Sequence, residues 1–585
     1  MKSFSVNNGK QMHELFSAEK PPMSDITIKI TDNIFADEPI VIKNCSDLTF
    51  SADTDTQVFG GYTKISWEKS GNILSARLDT MPRMLIINDE VKKLSQYPRN
   101  GYLKSKDQCT LKWQNSANGG WDKKPTHDEL TKITVDTKDI PENLDIENCD
   151  IRMLHTWDES VVSIKKYDKS GGTIFLEHEA AHPSGAFNRH DFLFLNTRLG
   201  ISEPGTWYYD KKEKIIRYHL QENEPPENIT CFIPQSNGIF KFENCKNITV
   251  ENLHLSLSNS ESGKISGLRA VNPSGALSFE KCENIFVKNC TVSYSGGQGI
   301  KFLKCKNVNI SNCLIEKCAF CGIVCYECEN ENINSNRIRD IGLCDFSAVS
   351  IHAGGKSVLP YVLDGKKEEK GSAVIFSNRI ENSPYCGIVC SGDNHTIENN
   401  YLYGCMQKLS DGAAIYCSRA GNTKILNNYI CGMTSEQSQG IYLDELSQNC
   451  LIDSNAVVNV IKAFHNHLAK NTHVKNNIIV NDNNTVITMS RSTGYSWENN
   501  IIFSNGDIEF DCKGYFGYSN TLDDSIHFSN DILFSKNGKI ICYDEIDCGK
   551  YNILNTDPEI KINGGLFECL PQNGIQNKYI IRSEK

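Results

Sequence analysis

Asp444 closes the run GIYLD (Gly440–Asp444), and His467 closes AFHNH (Ala463–His467), 467 − 444 = 23 residues later. Asp411 opens DGAAIY (Asp411–Tyr416), one run earlier. Tyr416, Tyr442 and His465 fall in the same three runs. Phenol and imidazole rings stack on the C–H faces of a sugar, and carboxylates bind its hydroxyls. Cleaving a glycosidic bond takes a pair of carboxyl groups, one protonating the leaving oxygen and one acting as nucleophile or base. Asp444 is the first candidate and Asp411 the second, although Asp-Gly is also an ordinary turn dipeptide. His467 falls in the column of Asp444, about 4.8 Å away, where it would tune the carboxyl group or bind a hydroxyl. Glu445 should point the other way or lie at the strand end, still beside the sugar. His465, His467 and Asp444 also form a conceivable metal set. Sugar sites use the same residues without an ion, so no metal or cofactor is expected.

These runs belong to a series. Alternation at period 2 gives each run an inward and an outward face. Taking the second residue as inward, the first outward column reads Lys301, Val324, Ser350, Val389, Tyr416, Tyr442, His465, Thr488 and Glu509. The second reads Leu303, Tyr326, His352, Ser391, Ser418, Asp444, His467, Ser490 and Asp511, which adds His352 to the candidate sugar-binding residues. Asparagines pace the same stretch at Asn252, Asn289, Asn312, Asn336, Asn378, Asn400, Asn428, Asn455, Asn477 and Asn500. Their differences are 37, 23, 24, 42, 22, 28, 27, 22 and 23. A short repeat with loop-sized excursions, strands and turns but no helical period, is one coil of a parallel β-helix.

The period sets the organisation. Residues 1–61 read as the first coils, with a short capping helix near Gln11–Phe16. Residues 62–240 lose the asparagine pattern, hold Trp67, Trp113, Trp121 and Trp157, and read as an inserted β-rich domain. The main solenoid is expected over 241–540, interrupted at Ser256–Asn272 and Ala353–Ser372, and a capping segment over 541–585. A formal charge of −11 without a Lys/Arg block argues against a nucleic-acid partner. The N-terminus has no apolar signal core and no stretch approaches 18 apolar residues, so neither export nor a membrane is expected and the cytoplasm is the predicted location. The 24 cysteines then read as free thiols. Cys318 and Cys321 form a CxxC, read here as small core fillers rather than zinc ligands.

The segments VFGGYTKISW, LHTWDES, ISEPGTWYYD, GDNHTIENN, DGAAIY, GIYLDE, AFHNHLAKNTHVKNNI and the late DPEI occur in this order across nearly the whole chain. Together they resemble bacterial right-handed parallel β-helix glycoside hydrolases, most closely family 141 and more distantly families 120 and 136. The resemblance implies an all-β, right-handed, pectate-lyase-like solenoid that acts on an oligosaccharide. It implies that Asp444 is one catalytic carboxylate and Asp411 the other. In the family 120 pattern a Glu stands one coil after the GIYLD-type Asp; here His467 stands there, which turns the assignment towards Asp411. A polysaccharide lyase or epimerase on the same fold is the rival, and a non-catalytic carbohydrate-binding protein a third reading. A lyase needs a cation to neutralise a uronate, and Arg491 lies two coils from Asp444 in this register. A homodimer is compatible with the chain.

Overall fold

The computed structural model describes residues 2–17, 23–53, 56–63, 65–109, 125–260, 265–266, 273–355, 372–433, 435, 437–513, 519–558, 560–563 and 566–568. Three sheets of fourteen strands each run the length of the molecule, parallel apart from one terminal pair. Each coil gives one strand to each sheet; Tyr401–Tyr403, Ala413–Gly421 and Lys424–Leu426 follow one another in this way. Apolar side chains inside the coils form one continuous core from Val6 to Ile553. Small residues open the site-bearing strands because coils approach closely there. A Cβ on Gly440 would lie 2.5 Å from the Ala463 carbonyl oxygen of the next coil.

Two polar columns thread the turns. The buried asparagine column runs from Asn336 to Asn500. Asn428 shows its chemistry. Its Nδ2 donates to Asn455 Oδ1 (3.0 Å) and to the Ile397 carbonyl (2.9 Å), and its Oδ1 accepts from the Asn400 backbone and side chain (both 3.0 Å). The column ends on Asp531, which accepts both Asn500 donors at 2.8 Å. Asn252, Asn289 and Asn312 are not members of it. They adopt left-handed backbone one position earlier in the turn, and the residue that follows Asn312, Cys313, donates to Asn336 Oδ1. The expected ladder therefore joins two different turn positions. The second column is sulfur: the backbone N–H groups of Cys245, Cys282 and Cys305 donate to Cys282, Cys305 and Cys328 Sγ at 3.4–3.5 Å. All described cysteines are free, and Cys318 and Cys321 are buried core residues, as read from the sequence.

A capping helix, Gly9–Leu15, covers the first coil with Met12 fully buried. The solenoid is then interrupted. The chain leaves it after the strand Gln57–Phe59 and returns at Phe240–Glu243, where Phe240 pairs with Ile40 and, in the strand His254–Ser258 of the same coil, Leu255 pairs with Val58. The residues between form most of two eight-stranded sheets with their own cores, the second completed by the strand Ile265–Ser266 from beyond the insertion. They dock on the solenoid through a buried ion pair, Arg152 Nε to Glu159 Oε2 at 3.0 Å. Glu159 Oε1 accepts the Phe346 N–H, and Arg152 lies over the Phe346 ring at 4.0 Å.

The register of the site sheet corrects the expected columns at two runs. Ile351 pairs with Ile323, and His352 with Val324. His352 therefore stands in the first outward column, where Ser350 was expected. Thr488 likewise pairs with Asp511, not Glu509. Trp113, Trp121 and most of both loop excursions lie outside the described residues. No helix among those described is long and apolar enough to cross a membrane.

Candidate active site

Four neighbouring strands, Ala413–Gly421, Gln439–Asp444, Lys462–His467 and Thr485–Ser490, stack in register. Tyr416 pairs with Tyr442, and Tyr442 with His465. Their rings meet edge to face, with centroids 5.1 Å and 4.3 Å apart. Ser418 pairs with Asp444 one position further along the strand face. Tyr416 donates to Asp444 Oδ2 at 2.7 Å and His467 Nδ1 donates to Asp444 Oδ1 at 3.0 Å. Burial pushes the Asp444 carboxyl up, but the hydrogen bonds from His467 and Tyr416 outweigh it and hold the group below its ordinary range.

Asp411 reaches the same place from the loop before its strand. It sits in left-handed backbone (φ 56°), which aspartate tolerates. Gly412 lets the Tyr385 ring lie directly beneath; a Cβ there would meet that ring at 2.5 Å. Tyr385 donates to the Asp411 carbonyl at 2.8 Å, and Tyr442 donates to Asp411 Oδ1 at 3.4 Å. The charges of Asp444 and Asp411 both help to raise the Tyr442 hydroxyl, after burial. Burial and the Asp444 charge raise the Asp411 pKa to about 6. Asp411 thus stands in left-handed backbone with its carboxyl group within reach of the Tyr442 hydroxyl.

Among the histidines, His467 has the richest contacts. Arg491 donates to its Nε2 at 3.2 Å, so the ring proton is on Nδ1, directed at Asp444. Burial lowers its pKa, but the bond to and charge of Asp444 outweigh this and raise it. Burial depresses His465 to about 3 and keeps it neutral, with Nδ1 buried and unbonded. Glu445 lies just past its strand, and a carboxylate oxygen from it and from Asp444, with a ring nitrogen of His467, form a group within 4.8 Å that could hold a metal ion. His465 is not part of that group. His352 is separate from the cluster. Val389 stands between it and Tyr416 in the column, and His352 Nδ1 bonds the Cys325 carbonyl at 3.1 Å.

Three contributions escape sequence reasoning. Arg491 follows the strand Thr485–Ser490, two coils from Asp444, and its long side chain spans the gap back to His467. Tyr385 precedes its run, in a turn. The insertion also reaches the site. The Ser410 N–H and hydroxyl both donate to the Thr156 carbonyl, at 3.0 and 3.2 Å. Next to Thr156, Trp157 packs on Phe187 with centroids 4.3 Å apart. The only sequence signal for this was the LHTWDES segment, whose partner lies 254 residues away.

A family model described as "Right handed beta helix region" matches residues 231–359 and 366–533. No curated protein matches the chain. Among solved structures, one titled "Glycoside hydrolase" superposes with a TM-score of 0.60 at 13% identity, covering 84% of this chain and 92% of that one. A structure titled "The complex structure of XylC with xylose" gives a TM-score of 0.41 at 12% identity, covering 95% of this chain and 87% of that one. A lacto-N-biosidase from Eubacterium ramulus gives 0.29 at 13% identity, covering 57% and 53%. At these identities the likeness is one of fold.

Proposed function

The chain belongs to the right-handed β-helix family, and from the groups its site assembles we propose that it is a glycoside hydrolase using Asp411 and Asp444 on an oligosaccharide. The observation that carries the reading is two neighbouring carboxyl groups of opposite tendency, Asp411 bonded by the Tyr442 hydroxyl and Asp444 by Tyr416 and His467. Asp444, held ionised by Tyr416 and His467, is the nucleophile. Asp411, protonated up to about pH 6, is the general acid that protonates the leaving oxygen. A carboxyl separation of about 5–5.5 Å would mark a retaining enzyme and one of about 6.5–9.5 Å an inverting one. In the retaining course Asp444 forms a covalent glycosyl ester and Asp411 returns as base for water. Tyr416, Tyr442 and His465 form the wall of the sugar subsite. The likeness to family 141 is part of this reading.

The test is a panel of nitrophenyl glycosides and neutral oligosaccharides. The wild-type chain should release product from at least one. Asp444→Asn should lose roughly three orders of magnitude or more in kcat with the fold intact. A fully active variant overturns the assignment. One observation favours a lyase or epimerase instead: Arg491 on His467 places a cation beside a possible metal set of Asp444, Glu445 and His467. Product absorbing in the ultraviolet from a uronate polymer, abolished by EDTA, would establish that alternative.

A further inference from the structure

A second cleft, of about 950 Å³, lies between the insertion and the solenoid. We propose that it is a second carbohydrate site, for a glycan carrying carboxylate or sulfate groups. The assignment does not rest on the reaction proposed for Asp411 and Asp444.

Charge carries the argument furthest. The whole chain has a formal charge of −11. The cleft wall reverses it: seven lysines and arginines face two carboxylates, Asp79 and Asp150, a local balance of 7 − 2 = +5. Lys92, Lys93, Arg99 and Arg152 take their carboxylate partners from Glu90, Glu224, Glu203 and Glu159, none of which lines the cleft. Lys92 and Arg152 are buried and held by these partners, so the open positive charge of the wall comes from Lys93 and Arg99, which share the single carboxylate of Glu203 at 3.6 Å each, and from Lys408. Lys408 makes no ion pair among the described residues. Its ammonium lies 5.6 Å from the centre of the Phe346 ring, which Arg152 covers at 4.0 Å. Arg83 lies over Phe320 at 5.5 Å.

Shape and neutral lining point to a sugar rather than a bare ion. The volume suits two or three sugar rings and is far more than a sulfate needs. Tyr102, 36% exposed, offers a ring to a pyranose, and Gln96, Asn100 and Asn259 offer amides to hydroxyls. The cleft also borders the candidate active site, because Lys408 is 411 − 408 = 3 residues from Asp411. A long acidic glycan could be held in the cleft by one end.

The test is calorimetric titration of the full chain with trigalacturonate and with a sulfated trisaccharide, against maltotriose as the neutral control. At least one acidic probe should bind, more weakly as salt rises. Lys408→Gln and Arg83→Gln should each weaken it about tenfold or more, whereas Asp444→Asn should leave it unchanged. Lys408 is exposed, so its variant should fold as the parent does. Failure of both acidic probes to bind, binding unaffected by both cleft variants, or loss of binding in Asp444→Asn would each overturn the proposal. The outcome is independent of turnover, so an inactive chain that binds through Lys408 defeats only the hydrolase reading.

Discussion

Asp411 and Asp444 show how neighbours divide labour between two identical side chains. One is buried beside a negative charge and keeps its proton; the other accepts two hydrogen bonds and loses it. Two predictions follow from the raised value of Asp411. The alkaline limb of kcat/KM should fall with an apparent pKa near 6, as the acid form is lost, and Asp411→Asn should remove that limb together with most activity. The second concerns stability. Between the ordinary value of 3.8 and about 6 the folded chain holds the Asp411 proton while the unfolded chain has released it. Stability therefore falls as pH rises through that window and stays lower above it. Asp411→Asn should match the wild type below about pH 4 and exceed it near pH 7, by on the order of 2–3 kcal/mol in urea unfolding. The Asp444–His467 pair was legible because one 23-residue coil separates the two. Arg491 was not, because a repeat reports where a backbone stacks and not how far a long side chain reaches.

At the scale of the coil, the asparagine column and its exposed imitators should respond differently. Asn428→Ala removes an acceptor for two Asn400 donors and leaves them buried, so a loss of about 2–4 kcal/mol is expected in denaturant unfolding. Asn289, whose side chain bonds Asn252 in the open, should cost about 0.5 kcal/mol or less as alanine, apart from its left-handed backbone. The fold was legible because both kinds of asparagine recur once per coil. Their offset by one position was hidden because a difference of 24 looks like one of 23. The register at His352 slipped for another reason. The steps Val324–His352 and Val389–Tyr416 are 28 and 27 residues, whereas Tyr442–His465, His465–Thr488 and Thr488–Asp511 are each 23. The surplus before His352 includes the loop carrying Asp345 and Phe346, which meets the insertion. A docking contact thus altered the local count, and nothing in one coil records what it docks against.

The insertion meets the solenoid through polar contacts at Arg152, Glu159, Thr156 and Asp89. Burial raises Glu159 to about 8 against the opposing Arg152 charge, so the pair is finely balanced. Arg152→Met should loosen the insertion, seen as faster proteolysis within residues 62–240, with a fall in activity through the Thr156–Ser410 contact. Adding Glu159→Gln should recover part of the loss, since a lone buried carboxyl is costlier than none. The interrupted solenoid also has a consequence in time. The strand Ile40–Lys43 finds its next neighbour only at Phe240–Glu243, 240 − 43 = 197 residues later. At about 5–20 residues per second, a ribosome takes roughly 10–40 s to deliver that neighbour. Until then the newborn first coils present an unpaired apolar edge, and a chaperone or a quickly folding insertion must guard it.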